Sequence, residues 1–156
     1  MPGLETLALS VVVGRGALYQ TGEQSGWAHL LEHMVFKGAG GRSPRDIVEV
    51  IEAAGGHINA ATGYDRTSFQ VRALKGGLAL GMAVVADLVL RPRLAAADLA
   101  KEKRVIAQEI AEAADTPDDL VFELAGALAY GGHPLGRPVL GTRASIGRAK
   151  PATLEA

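Results

Sequence analysis

The sequence predicts an α+β fold: an antiparallel or mixed β-sheet with helices packed on one of its faces. Three observations predict it. Runs of strand character precede most of the helical segments. The clearest run, Thr67 to Ala73, alternates apolar and polar residues, as a strand buried on one side does. The second half of the chain carries apolar residues at helical spacing instead.

Each element follows from its residues. Leu7 to Val13 (LALSVVV) is β-rich and is ended by Gly14 and Gly16, so it reads as a strand. Tyr19 to Gly26 is polar and contains glycine, a loop. Ala28 to Lys37 reads as a helix stopped at Gly38, with a second loop through Arg42. Ser43 and Pro44 form an N-cap and first-turn pair, and Gly55 closes that helix. Ile47, Val50, Ile51 and Ala54 make its buried face.

His57 to Thr62 is extended, and Gly63 to Arg66 turns it into the alternating strand as a hairpin. Helices are expected at about Gly77–Leu90, stopped by Pro92, at Ala96–Ala114 and at Asp118–Tyr130. A rigid loop spans Gly131–Gly136, and Lys150 to Ala156 looks like the opening of another helix. A three-strand sheet is small for this many helices, so further strands are expected beyond the C-terminus, with one more before Met1. Residues 1–156 therefore read as a single domain truncated at both ends.

Composition excludes several classes of function. Sixteen basic and seventeen acidic residues give a net charge of -1, so no polyanion such as a nucleic acid is the partner. At 48% hydrophobic the chain is too apolar for disorder. The absence of cysteine removes disulfides, thiolate zinc sites, iron–sulfur clusters and thiol catalysis. The longest apolar stretch, Gly76 to Leu90, contains Asp87 and is too short to span a bilayer. Met1 to Glu5 lacks a basic leader region, so the sequence alone reads as cytoplasmic; the periplasm follows if a leader precedes Met1. With 20 glycines and 4% aromatics, a thin core with few large anchors is expected.

The sharpest chemistry is His29-Leu30-Leu31-Glu32-His33. At about 100° per residue, the two imidazoles lie about 40° apart and one turn along, a natural clamp for Zn²⁺, with Glu32 about 60° to one side. A carboxylate there can act as general base toward a water at the metal. Two exposed histidines beside a solvated glutamate are the plain alternative. Leu30, Leu31, Met34, Val35 and Phe36 argue against it, because they make the helix apolar almost all round.

Zinc requires a third protein ligand. His57 and His133 stand on glycine-rich segments without a helical partner. Glu102 and Glu109 are better candidates: they fall on the apolar stripe of Leu99, Ile106, Ile110 and Ala113. Being about 10 Å apart along the helix, one can be a ligand and the other can only support the site. Elsewhere the bland readings prevail. His57 and Phe69 read as local packing, Trp27 and Tyr64 as core or rim, His133 as a loop-ordering residue and Arg91-Pro92-Arg93 as a solvated helix stop.

The segment His29 to Gly38 (HLLEHMVFKG) resembles the zinc-site helix of the pitrilysin, insulin-degrading enzyme and mitochondrial processing peptidase family. Gly55 to Thr62 (GGHINAAT), the glutamate segment around Glu109, His133-Pro134-Leu135-Gly136 and Leu140-Gly141-Thr142 resemble further motifs of that family in the same order. The resemblance implies a zinc metalloendopeptidase. His29, His33 and Glu109 would be its metal ligands, Glu32 its general base and Glu102 a supporting acid. Asn59 and Ala60 would hold substrate peptide as an added strand. It also implies a second half, absent here, that supplies an Arg and a Tyr to the substrate. The expected partners are thus a peptide or unfolded protein and a C-terminal half or partner subunit. The alternative is a non-catalytic or partner-dependent peptide-binding subunit.

Overall fold

A computed structural model describes Gly3 and residues 5–155. Met1, Pro2 and Leu4, part of the segment read for a leader, lie outside the described residues, as does Ala156 at the end of the expected last helix. The strands are β1 (Thr6–Val13), β2 (His57–Thr62) and β3 (Thr67–Leu74). The helices are α1 (Trp27–Val35), α2 (Pro44–Glu52), α3 (Leu78–Leu90), α4 (Ala96–Asp115), α5 (Pro117–Tyr130), α6 (Arg143–Arg148) and α7 (Pro151–Leu154).

The sheet is antiparallel throughout, in the order β1-β3-β2. Its register is set by burial, since a one-residue slip would turn every apolar side chain to water. Leu9 stands opposite Val71, which stands opposite Ile58; Val11, Phe69 and Ala60 form the next row. These rows face the helices. His57, Asn59 and Ala61 of β2 and Gln70 and Arg72 of β3 are exposed on the other face. His57 is therefore not a packing residue, as the sequence had implied. It has the same parity as Asn59, and that whole face of β2 is open to water.

Two apolar clusters share the helices. One lies between the sheet and α2 and α3, built on Ile47, Ile51, Phe69, Val71, Val84, Val85 and Leu88. The other joins α1 to α4, α6 and α7 through Leu30, Met34, Leu99, Ile106, Ile146 and Leu154. Phe69 is the one aromatic side chain among the buried hydrophobics of the described residues, so the core is built from aliphatics.

Local chemistry accounts for the element ends. The Ser43 hydroxyl accepts from the Asp46 N–H at 3.2 Å, while the Asp46 carboxylate accepts from the Ser43 N–H at 2.9 Å, a reciprocal cap on α2. At its other end Gly55 adopts φ 72°, and the Gly56 N–H reaches back to the Ile51 carbonyl at 2.9 Å. Helix α6 was not anticipated. Its six residues carry Ile146 as their one large apolar side chain, too few for a periodic signal; the Thr142–Ser145 cap and the burial of Ile146 hold it. The Arg91-Pro92-Arg93 stop is solvated as expected, with both arginines exposed, and it is also tied down by ion pairs. Arg91 and Arg42 both pair with the buried carboxylate of Asp87, and Arg93 pairs with Asp98 at 2.8 Å.

Candidate metal centre

Helix α1 is clamped between the two clusters, and that fixes which way its polar residues point. At about 100° per residue its positions divide into three stripes. Leu30 and Met34 enter the α4 cluster, while Val35 enters the sheet cluster and Leu31 packs against both. The remaining stripe is His29 and His33, half-buried at the seam. Glu32 leaves the helix on the sheet side of the histidines. Glu102 and Glu109 reach them from α4 on the other side.

The two glutamates of α4 approach the same imidazole from opposite ends. Glu102 Oε2 lies 3.1 Å from His33 Nδ1, and Glu109 Oε1 lies 3.7 Å from His33 Nε2. Glu109 Oε2 also lies 3.9 Å from His29 Nε2. His29, His33 and Glu109 thus each offer a ligand atom within 4.8 Å of the others. Tetrahedral zinc with ligands at about 2.0–2.1 Å separates its donors by about 3.3 Å. The three atoms lie within 4.8 Å of one another, so closing on such an ion takes at most about 1.5 Å of side-chain movement, and the donor set of two imidazoles and a carboxylate fits zinc.

The electrostatics agree with that fit. Burial, and then the neighbouring His33, hold the His29 imidazole below its ordinary pKa, with Glu32 and Glu109 opposing. The neutral ring that results is the form that donates a lone pair to a metal. His29 Nδ1 is buried without a hydrogen-bond partner, whereas His33 Nδ1 is held by Glu102. Glu102 is buried, and its other oxygen pairs with Lys37 Nζ at 3.0 Å. Lys103, the next residue on α4, is engaged elsewhere, its Nζ donating to the carbonyls of Gly147 and Ala149.

Asn59 and Ala60 sit on the sheet rather than on the two helices that carry this cluster. Both lie on β2, an edge strand, with Asn59 on the solvent face and Ala60 packed toward the helices. Trp27 anchors α1 to α6, its indole N–H donating to the Ser145 carbonyl at 2.9 Å. His133 orders its own loop, accepting from the Leu135 N–H at 3.2 Å. Two residues were missed. Thr62 donates its hydroxyl hydrogen to Glu32 Oε2 at 2.5 Å, and Lys37 completes the chain from Glu102. The parity of β2 places Thr62 on the same face as Ile58 and Ala60, which was the available clue.

The family model described as Insulinase (Peptidase family M16) matches residues 2–143. A Rickettsia bellii protein named an uncharacterized zinc protease is 40% identical over 146 residues, covering 94% of this chain and 35% of its own length. The chain spans about a third of the length of the curated relatives it matches. A protease from Helicobacter pylori superposes with a TM-score of 0.91 at 22% identity, over 97% of this chain and 37% of its own. The peptidase M16 inactive domain from Pseudomonas fluorescens superposes with a TM-score of 0.87 at 22% identity, over 98% and 37%. At such identities the two structures show a shared fold alone.

Proposed function

Because the chain belongs to peptidase family M16, the insulinase family of zinc peptidases, we propose that it carries the metal centre of a zinc metalloendopeptidase. The observation that carries this reading is the convergence of His29, His33 and Glu109 from two helices, with Glu32 on the same turn as His33.

In this reading His29, His33 and Glu109 hold zinc, and Glu102 orients His33 through its Nδ1–H. Zinc bound there supplies a Lewis acid that polarises a peptide carbonyl and acidifies a water. Glu32 takes the proton of the attacking water and passes it to the leaving amine nitrogen. Asn59 and Ala60 hold an extended peptide along the free edge of β2, through backbone hydrogen bonds. The rest of the substrate's contacts belong to a C-terminal half or partner subunit.

Elemental analysis of the dialysed protein tests the centre, with about one zinc per chain expected. His29→Ala should lose it. Glu32→Gln should keep the metal and lose peptide cleavage by about 100-fold or more; unchanged turnover in that variant would overturn the assignment. A second reading, a peptide-binding subunit without turnover, draws on the fold shared with the protein named an inactive domain. Zinc bound at full stoichiometry with no cleavage, even after a second half is added, would select it.

A further inference from the structure

We propose that Thr62 is the positioning residue for Glu32, locking the proton-transfer carboxylate to the end of the edge strand β2. The inference rests on the reading of Glu32 as the general base. Thr62 is the last residue of β2 and turns its side chain to the helix layer, where Oγ1 lies 2.5 Å from Glu32 Oε2. A second hydroxyl is nearby: Thr67 Oγ1, directly across the hairpin, lies 3.3 Å from Thr62 Oγ1. Thr67 spends its single hydrogen on the Arg15 carbonyl at 3.2 Å. The Thr62 hydrogen is therefore free for the carboxylate, and the shorter, charge-assisted bond takes it.

The consequence is directional. The bond engages Oε2 and leaves Oε1 with both its lone pairs for a water proton. A Glu on a half-exposed helix face otherwise has three side-chain torsions to order, and each turnover would bear that entropy. Thr62 also ties the carboxylate to the strand that carries Asn59 and Ala60. Peptide register along β2 and the position of the base are then referred to one rigid hairpin, whose turn is closed by the Gly63 N–H on the Arg66 carbonyl at 2.8 Å.

The test compares the zinc-loaded protein with its Thr62→Val, Thr62→Ser and Glu32→Gln variants. Valine keeps the shape and removes the hydroxyl; serine keeps the hydroxyl. Thr62→Val should retain full zinc and an unchanged KM, with kcat lower by about 10- to 100-fold. Thr62→Ser should recover most of that loss. A second readout needs no catalysis. In the zinc-free protein, the effects of Thr62→Val and Glu32→Ala on Tm should be non-additive, since each removes one partner of the same bond. Wild-type kcat in Thr62→Val with Glu32→Gln inactive, or additive Tm effects, would overturn the inference while leaving the function intact. Full cleavage by Glu32→Gln would instead sink the function itself.

Discussion

At the scale of single residues, the centre is asymmetric. His33 is held at Nδ1 by a buried carboxylate, which in turn is held by Lys37; His29 has no such support. A carboxylate behind a ligating imidazole fixes the tautomer that leaves Nε2 free and strengthens it as a donor. In the proposed centre, removing Glu102 would act on zinc through His33. Glu102→Ala should weaken zinc binding by about 10- to 100-fold, read by chelator competition, and Glu102→Gln should weaken it less. An unchanged affinity in the alanine variant would show that Glu102 only packs. The sequence placed Glu102 and Glu109 on one stripe and made one of them a ligand. It did not disclose that both flank one imidazole, because that depends on how far α4 is displaced along α1.

Elements carry the next layer of argument. Helix α1 shows why an almost wholly apolar helix can present a polar site: two clusters bury two of its three stripes and leave the third at the seam. Helix α2 shows local chemistry with a measurable pH dependence. Hydrogen bonds from the Ser43 side chain and backbone hold the Asp46 carboxyl below its ordinary value of 3.8. A carboxylate depressed in the folded state binds protons more readily when unfolded. Its contribution is complete above that value and is lost as pH falls through the folded pKa. The Tm gap between wild type and Asp46→Asn should therefore be present at neutral pH and vanish in strong acid. A gap that persists in acid would mean the cap works without its charge. Both α2 ends were legible in Ser43, Pro44 and Gly55, since capping is a matter of residues three to five apart.

For the whole molecule, the site depends on packing well away from it. Ile106 sits fully buried between the turns bearing Glu102 and Glu109, against the cluster that includes Leu30 and Met34 of α1. Ile106→Ala should cost about 2–5 kcal/mol of stability by denaturant melting. It should also weaken zinc binding, because it loosens the contact that sets α4 against α1. Zinc affinity equal to wild type in a destabilised protein would assign the spacing of the two helices to something other than this cluster. At this scale no helix among the described residues is long and apolar enough to cross a membrane. Helix α5 has no buried residue and exposes Phe122 and Leu128.

What the sequence determined by itself is local or periodic. The alternation of β3, the cap of α2 and the one-turn spacing of His29 and His33 are set within a few residues of chain, and they carried the α+β class and the family. The tertiary structure decided which groups meet across long separations. The Thr62 hydroxyl reaches Glu32, Lys37 reaches Glu102, and Arg42 reaches Asp87. No periodicity encodes such contacts. Most of them arise where separate elements are pressed together by buried aliphatic side chains, and the directions of the polar groups follow from that packing.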